Sequence, residues 1–260
     1  MRVEPDGISE VARGVIRIQQ AGVNCYLVAA DGGLTLIDAG LPRMWGLLGE
    51  ALATVGATAA DIDAVLLTHG HFDHVGMAAR LREKHRTAVR VHPDDQRLAR
   101  HPYRYEHEDP RWRYPFRYPR TLPLLARLTL AGALTVKGVD AEPVIEPGAE
   151  VDVPGRPLAI ASPGHTKGHC GFLLPGTGVL FSGDALVTLD PYSGRVGPRM
   201  VARAATAEVA AQQQEVHDLA DRRHAVAVLG QAHRPAHDDP PAGEDLAVHG
   251  LDLVPGQAGR

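Results

Sequence analysis

The chain has 260 residues, of which 44% are hydrophobic and 22% charged, and its formal net charge is −4. This composition is typical of a globular protein and offers no excess of positive charge for nucleic acid or an anionic membrane. There is no apolar run of about 18 residues, and the segment MRVEPDGISEVARG does not resemble a signal peptide. Cys25 and Cys170 are expected to be buried free thiols, which predicts a cytoplasmic protein. From the net charge and the lack of a long apolar run, we predict no nucleic-acid or membrane partner.

Strand and helix signals alternate through the N-terminal third of the chain. The segments GVIRIQQ, VNCYLVAA and GLTLIDAG, which are separated by Gly and Asp turns, predict three successive strands. A helical face from Trp45 to Val55 precedes a buried strand in DIDAVLLT, and a helix over 77–85 precedes a strand in TAVRVHP. This alternation predicts an α/β layered fold.

Residues 101–136 differ in composition from the segments before them. HPYRYEHEDPRWRYPFRYPR interleaves prolines and large aromatic residues with arginine, and the apolar run LPLLARLTLAGALTV predicts a helix. We interpret 101–136 as a lid-like insertion near a substrate site. A surface loop pinned by its own rings and a nucleic-acid contact are the alternatives. Five arginines against three acidic residues in 101–120 give a net charge of only +2, which argues against nucleic acid.

The C-terminal half of the chain continues the alternation. PLAIASPGH and GVLFSGDAL predict strands, residues 206–223 a helix, and HAVAVLG a last strand. The three strands end in Gly turns near His165, Asp184 and Gly230. Functional side chains of α/β proteins collect in loops after strand ends, so these turns are candidate site positions.

The stretch LLTHGHFDHVG places three histidines and an aspartate within six positions, directly after a buried strand. His69 and His71 are two apart, so in an extended segment they share a side and can hold one cation. Asp73 and His74 follow after a turn and can hold a second cation. A histidine-rich surface loop is the alternative, but four such groups after a buried strand favour a metal site.

Further ligands must come from other strand ends. His165 in SPGHTKGH and Asp184 in FSGDAL each follow an apolar strand, and a carboxylate with two oxygens can bridge two metals. Asp38 ends the strand in LTLID and is expected to orient a ligand histidine. His92 and His169 lack any ligand spacing, so we interpret them as ordinary polar or capping residues.

Taken together and in this order, LIDAG, THGHFDH, PGHTKGH and SGDAL resemble the motifs of the metallo-β-lactamase superfamily. The resemblance spans residues 14–230 and implies an αββα four-layer sandwich, with the metals at one edge of two packed sheets. We therefore expect one domain over 1–230. The resemblance also implies two sets of ligands: His69, His71 and His165 for the first metal, Asp73 and His74 for the second, and Asp184 as the bridge.

The resemblance implies a dinuclear zinc hydrolase, although the same nitrogen and oxygen ligands accept iron or manganese. Its expected reaction is attack by a metal-bound hydroxide on an ester, thioester or lactone of a small molecule. Asp73 is the expected catalytic residue that orients the nucleophile and carries its proton. A bridging Asp184 resembles the glyoxalase II and lactonase branches, so antibiotic hydrolysis is not expected. Tyr192 in LDPYSG either donates to a substrate oxyanion or only shapes its turn.

Two other classes of function stay open. One is a mononuclear iron oxygenase similar to the persulfide dioxygenases of this superfamily, which needs only a reduced ligand set. The other is a binding protein that keeps the fold with an impaired second metal site. Nothing in the sequence indicates an oligomeric state.

The C-terminal segment departs from the family pattern. A histidine usually completes the second metal site as Gly-His-Gly after the last strand, whereas here Gln231 follows Gly230 and the next histidine is His233. One explanation is that His233 serves as the last ligand. The other is a base lost from the histidine codon, which would make 231–260 a frameshifted tail. Its Pro- and Gly-containing composition is typical of an irregular terminus.

Overall fold

The computed structural model describes residues 5–104, 106–107, 109–203, 205–208 and 227–229. The first sheet contains six strands, which pair in chain order. They are β1 (Gly7–Ala12), β2 (Val15–Gln20), β3 (Val23–Ala30), β4 (Gly33–Ile37), β5 (Ile62–Leu66) and β6 (Ala88–Arg90). Pairs from β1 to β4 are antiparallel, and β4, β5 and β6 are parallel. All five predicted strands are confirmed, and β1 is an addition.

The second sheet follows the insertion in the chain. Its strands are β7 (Leu158–Ala161), β8 (Cys170–Leu174), β9 (Val179–Phe181) and β12 (Ala227–Leu229). Their order is β12-β9-β8-β7, in which β12 is parallel to β9 and the other pairs are antiparallel. A separate hairpin consists of β10 (Val187–Leu189) and β11 (Val196–Arg199). The three strands predicted here are confirmed, while β8, β10 and β11 are additions.

Six α-helices lie in the described part of the chain. They are α1 (Trp45–Thr54), α2 (Phe72–Val75), α3 (Ala78–His85), α4 (Gln96–Arg100), α5 (Tyr114–Arg117) and α6 (Leu122–Leu130). Short 3₁₀ turns occupy Pro42–Met44, Ala59–Asp61, Pro93–Asp95, Arg111–Arg113, Pro119–Thr121 and Gly183–Ala185. None of the described helices has the length and apolar character that a membrane crossing requires.

Helix α6 confirms the helix predicted in the insertion but is shorter than its apolar run. It ends at Leu130 because Gly132 adopts a left-handed conformation with φ of 96°. The helix predicted over 206–223 falls almost wholly on residues that the structure does not describe. The C-terminal segment 231–260, including His233, also lies outside the described residues.

Side chains of the first sheet enter two different cores, because successive residues of a strand point to opposite faces. In β3, Cys25 and Leu27 belong to a core shared with α1, α3 and α6. Tyr26 and Val28 belong to a second core shared with β8 and β9. The Tyr26 ring lies 5.1 Å from the ring of Phe181 across the two sheets. Packed sheets with helices on the outer face of the first account for three of the four predicted layers.

The insertion leaves and rejoins the domain at neighbouring points. The Val139 N–H donates to the Ala99 carbonyl oxygen over 2.9 Å, just outside its two ends. Within the insertion, the Tyr103 hydroxyl donates to the Ala133 carbonyl (2.9 Å) and accepts from the Val136 N–H (2.8 Å). The segment 101–136 is therefore closed at its base by backbone and side-chain hydrogen bonds.

Truncation of the core between the sheets should destabilise the protein strongly. Phe172 in β8 is fully buried there, and we expect Phe172→Ala to lower the free energy of unfolding by about 3–5 kcal/mol. Urea unfolding monitored by circular dichroism measures this change. The matched control is Leu134→Ala, whose side chain is 71% exposed, and its effect should stay within about 0.5 kcal/mol. Equal effects of the two changes would contradict this core.

Candidate metal centre

Side chains capable of binding metal meet where four strands of the two sheets end. Asp38 directly follows β4, and the segment with His69 follows β5, its parallel neighbour. From the second sheet, His165 follows β7 and Asp184 follows β9. The sequence places these residues far apart, and the packing of the sheets brings them to one edge.

The first group of candidate ligands consists of His69, His71 and His165, all of them buried. Their ligand atoms lie within 4.8 Å of one another, and His165 Nε2 is 2.9 Å from His71 Nδ1. Ligand atoms around a tetrahedral zinc ion lie about 3.3 Å apart, given zinc–nitrogen distances of about 2.0–2.1 Å. The spacing of the three histidines therefore suits one cation.

The second group consists of His69, His74 and Asp184, and its ligand atoms also lie within 4.8 Å of one another. His74 Nε2 is 3.4 Å from Asp184 Oδ1. His69 belongs to both groups, but an imidazole nitrogen has one lone pair and binds one cation at a time. Two cations would therefore need another ligand in the second group. Asp73 belongs to neither group and lines the cleft beside them, so its ligand role stays a prediction.

Asp38 lies at the end of β4 in a left-handed conformation, with φ of 58°. This region is uncommon for residues other than glycine, although aspartate enters it more readily than most. The carboxylate accepts hydrogen bonds from the Thr68 N–H (2.8 Å) and the Thr68 hydroxyl (2.9 Å). It also lies 2.9 Å from His74 Nδ1. The predicted residue thus contacts a candidate ligand, and orienting that ligand for a cation stays its predicted role.

These contacts determine which nitrogen of two histidines carries the proton. A carboxylate only accepts, so His74 Nδ1 donates to Asp38, and its Nε2 is the nitrogen that faces Asp184. The Thr68 hydroxyl spends its proton on Asp38 and lies 3.1 Å from His69 Nδ1, which therefore donates to it. Neither Nε2 atom has a hydrogen-bond partner among the described residues. The two Nε2 atoms are thus the positions for a cation, which at His74 would replace a proton.

Asp95 is a site residue that the sequence does not reveal. Its buried carboxylate accepts from the Gly70 N–H (2.9 Å), the Gly168 N–H (2.9 Å) and the Thr166 hydroxyl (2.8 Å). It therefore ties the loop of His69 and His71 to the loop of His165. The sequence offers only an aspartate before a helix, which predicts an N-cap, yet this side chain makes no cap hydrogen bond to α4.

His169 is a second residue whose place at the centre was not expected. Its Nε2 accepts from the Asp184 N–H (3.1 Å), so its Nδ1 carries the proton and donates to Ser162 Oγ (2.6 Å). Gly183, which has a φ of 51°, leaves room for this ring, because a Cβ atom there would lie 2.7 Å from His169 Nε2. His169 is thus a polar structural residue that positions the backbone of Asp184. His92 is confirmed as a capping residue, since its Nδ1 accepts from the Asp94 N–H.

Burial and neighbouring charges set the protonation of the site. Burial lowers the pKa of His69 and brings that of His165 to about 4, so both are neutral imidazoles, the form that binds metals. Burial alone would lower the pKa of His74, but the neighbouring carboxylates raise it well above its ordinary value. Burial raises the pKa of Asp73 to about 6. Without a cation, His74 therefore carries the positive charge that balances these carboxylates, a role that a divalent cation would take over.

A cleft opens from the two ligand groups toward the insertion. His71, Asp73 and Asp184 line it, and apolar side chains form most of its wall: Val23, Phe72, Leu124, Leu125, Leu128, Leu189, Val201 and Ala205. Tyr192 also lines the cleft, and its ring meets the ring of Tyr114 edge-on at 5.7 Å. The structure therefore places Tyr192 beside the centre, and donation to a substrate stays a prediction.

Comparisons with known proteins agree with this arrangement. The sequence profile of the Metallo-beta-lactamase superfamily matches residues 19–231. The chain is 26% identical over 219 residues to "Probable metallo-hydrolase YflN" of Bacillus subtilis (strain 168). That alignment covers 80% of this chain and 73% of YflN.

Two solved structures illustrate the shared fold. TTHA1623, solved in a di-iron-bound form, is 28% identical, with a TM-score of 0.55 and coverage of 82% of this chain and 88% of that one. BJP-1, a subclass B3 metallo-beta-lactamase of Bradyrhizobium japonicum, has a TM-score of 0.63 at 20% identity, with coverage of 88% and 78%. At that identity BJP-1 is informative about the fold alone. The predicted fold class is confirmed.

Removal of the Asp95 carboxylate should loosen both histidine loops at once. In Asp95→Ala, buried donors lose their acceptor at a cost of about 1–3 kcal/mol each, and zinc affinity should fall about 10- to 100-fold. Urea unfolding and calorimetric zinc titration measure the two effects.

Two variants serve as references for this change. Asp94→Ala removes a neighbouring carboxylate that is 64% exposed and should leave both quantities unchanged. Asp95→Asn retains one acceptor oxygen and should recover part of the zinc affinity. A folded Asp95→Ala protein with the wild-type affinity for zinc would show that the carboxylate does not position the ligands.

Proposed function

Because the chain belongs to the metallo-β-lactamase superfamily, we propose that it is a metal-dependent hydrolase acting on an ester, thioester or lactone of a small molecule. One observation carries this proposal: two buried groups of candidate ligands share His69, and their members His71 and Asp184 line a largely apolar cleft. A substrate that enters the cleft would place its reactive bond beside these groups and away from bulk water.

The donor atoms fit a divalent cation with nitrogen and oxygen preferences, such as zinc, and they also suit iron or manganese. We assign His69, His71 and His165 to one cation. We assign the second to Asp73 and His74, and Asp184 to both, with His233 as a further candidate from outside the described residues. When bound, the cation supplies Lewis acidity and lowers the pKa of a water molecule toward neutrality.

The chain's own residues then perform three tasks. Asp73 lines the cleft beside His71 and Asp184, and it is the proposed residue that orients the nucleophile and carries its proton. Thr68 and Asp38 accept from Nδ1 of His69 and His74, so that the Nε2 atoms of both rings face the candidate metal centre. Tyr192 is the proposed donor to the carbonyl oxygen of the substrate.

Elemental analysis of the purified protein tests the assigned ligands. We expect about two zinc ions per chain, and His71→Ala should lose at least one of them. His101→Ala changes an exposed histidine and should retain the full content. One zinc ion or none in the wild-type protein would contradict a complete second site and favour the binding protein. A single iron would favour the mononuclear oxygenase, and the likeness to TTHA1623 in its di-iron-bound form makes iron a specific alternative.

The reaction itself is tested with the zinc-loaded protein. We expect hydrolysis of p-nitrophenyl esters, and Asp184→Ala should lower kcat/KM by at least about 100-fold because the proposed bridging ligand is lost. Asp94→Ala removes an exposed carboxylate and should retain the wild-type rate. Hydrolysis of nitrocefin without hydrolysis of any ester, thioester or lactone would contradict the assigned reaction class.

A further inference from the structure

The helix of the insertion directs one leucine face into the cleft. Leu124, Leu125 and Leu128 of α6 line the cleft, and the first and last of these lie one turn apart. Leu122 and Leu130, on the same helix, are 50% and 66% exposed and do not line it. The wall is therefore a specific face of α6 rather than a general property of its apolar sequence.

The insertion is also attached to the ligand segment. The ring of Tyr103 stacks on Phe72, the residue between His71 and Asp73, with 5.7 Å between ring centroids. The Tyr103 hydroxyl bonds the segment that follows α6. Tyr103 thus connects the insertion that carries the leucine face to the segment that carries His71 and Asp73.

The charges in the cleft limit which group can enter it. Among the described residues that line the cleft there is no lysine or arginine, and the acidic ones are Asp73 and Asp184, which belong to the candidate metal centre. A substrate carboxylate or phosphate in the cleft would lose its hydration without meeting a cation from these side chains. Away from the candidate metal ligands, the described lining therefore disfavours an anionic substrate group and suits an uncharged apolar one.

We propose that the cleft binds an uncharged aliphatic chain along Leu124, Leu125 and Leu128, so that the substrate is a neutral ester, thioester or lactone carrying such a chain. This inference rests on the proposed function, since the reactive bond would lie at the ligand end of the cleft. Burial of each further methylene group in an apolar cleft strengthens binding about fourfold. Affinity should rise with chain length until the cleft is filled.

Binding is measured separately from catalysis. Metal-free protein is titrated calorimetrically with 1-butanol, 1-hexanol and 1-octanol, which are uncharged and do not require a cation. We expect a tighter dissociation constant with each longer alcohol, by about fourfold per methylene. Equal affinities for the three alcohols would overturn the inference.

A matched pair of variants on α6 locates the binding surface. Leu125→Gln places an amide of similar size in the wall of the cleft, whereas Leu122→Gln makes the same change on the exposed face. We expect Leu125→Gln to weaken octanol binding at least about tenfold and Leu122→Gln to leave it unchanged. Circular dichroism spectra and unfolding midpoints confirm that both variants fold. Equal octanol binding by the two folded variants would overturn the assignment.

Hydrolysis by the zinc-loaded protein separates the two proposals. If kcat/KM rises from p-nitrophenyl acetate to the octanoate, and Leu125→Gln lowers only the octanoate value, both proposals are supported. Hydrolysis at a rate that is independent of chain length would support the proposed hydrolase activity and overturn the proposed aliphatic binding site. Alcohol binding that depends on chain length, without hydrolysis of any ester, would leave the site and overturn the hydrolase.

Discussion

The buried carboxylate of Asp38 is the constraint on which the candidate centre depends. It ends β4 in a left-handed conformation, and its hydrogen bonds to Thr68 join the ends of β4 and β5. Through the Thr68 hydroxyl it sets the proton of His69, and through a direct contact it sets that of His74. A buried carboxylate is stable only when it is hydrogen-bonded, so the charge of Asp38 fixes the positions of Thr68 and His74. The unusual backbone at this strand end is thus explained by the site that it supports.

The second sheet completes this support from the other side. The Cys170 N–H donates to the Thr68 carbonyl oxygen over 2.9 Å, which attaches β8 to the histidine segment. Asp95 joins the two histidine loops, and His169 holds the backbone of Asp184. His69, His74 and the backbone of Asp184 are therefore each fixed by a buried polar partner, and Asp95 fixes the loops that carry His71 and His165. Because the loops are already positioned, the binding of a cation does not have to order them.

The sequence predicted the elements and residues whose signals are local. His69 and His71 share one short segment, while His165 and Asp184 each follow an apolar strand, so spacing and strand ends were sufficient. Asp95 could not be predicted in the same way, because its three partners lie 25, 71 and 73 residues away in the chain. The leucine face of α6 escaped prediction for a related reason. Its amphipathic pattern indicates that one face is buried, but only the folded chain shows which surface that face lies against.

The narrow base of the insertion bears on how proteins with this centre diverge. The two ends of 101–136 meet beside the hydrogen bond between Val139 and Ala99 and the ion pair between Arg100 and Asp140. Lengthening an exposed stretch of such a loop costs little, since the closure entropy grows only with the logarithm of its length. The stretch before α6, which exposes Trp112 and Phe116, can therefore change in length, whereas α6 itself is held by the core that it shares with the first sheet.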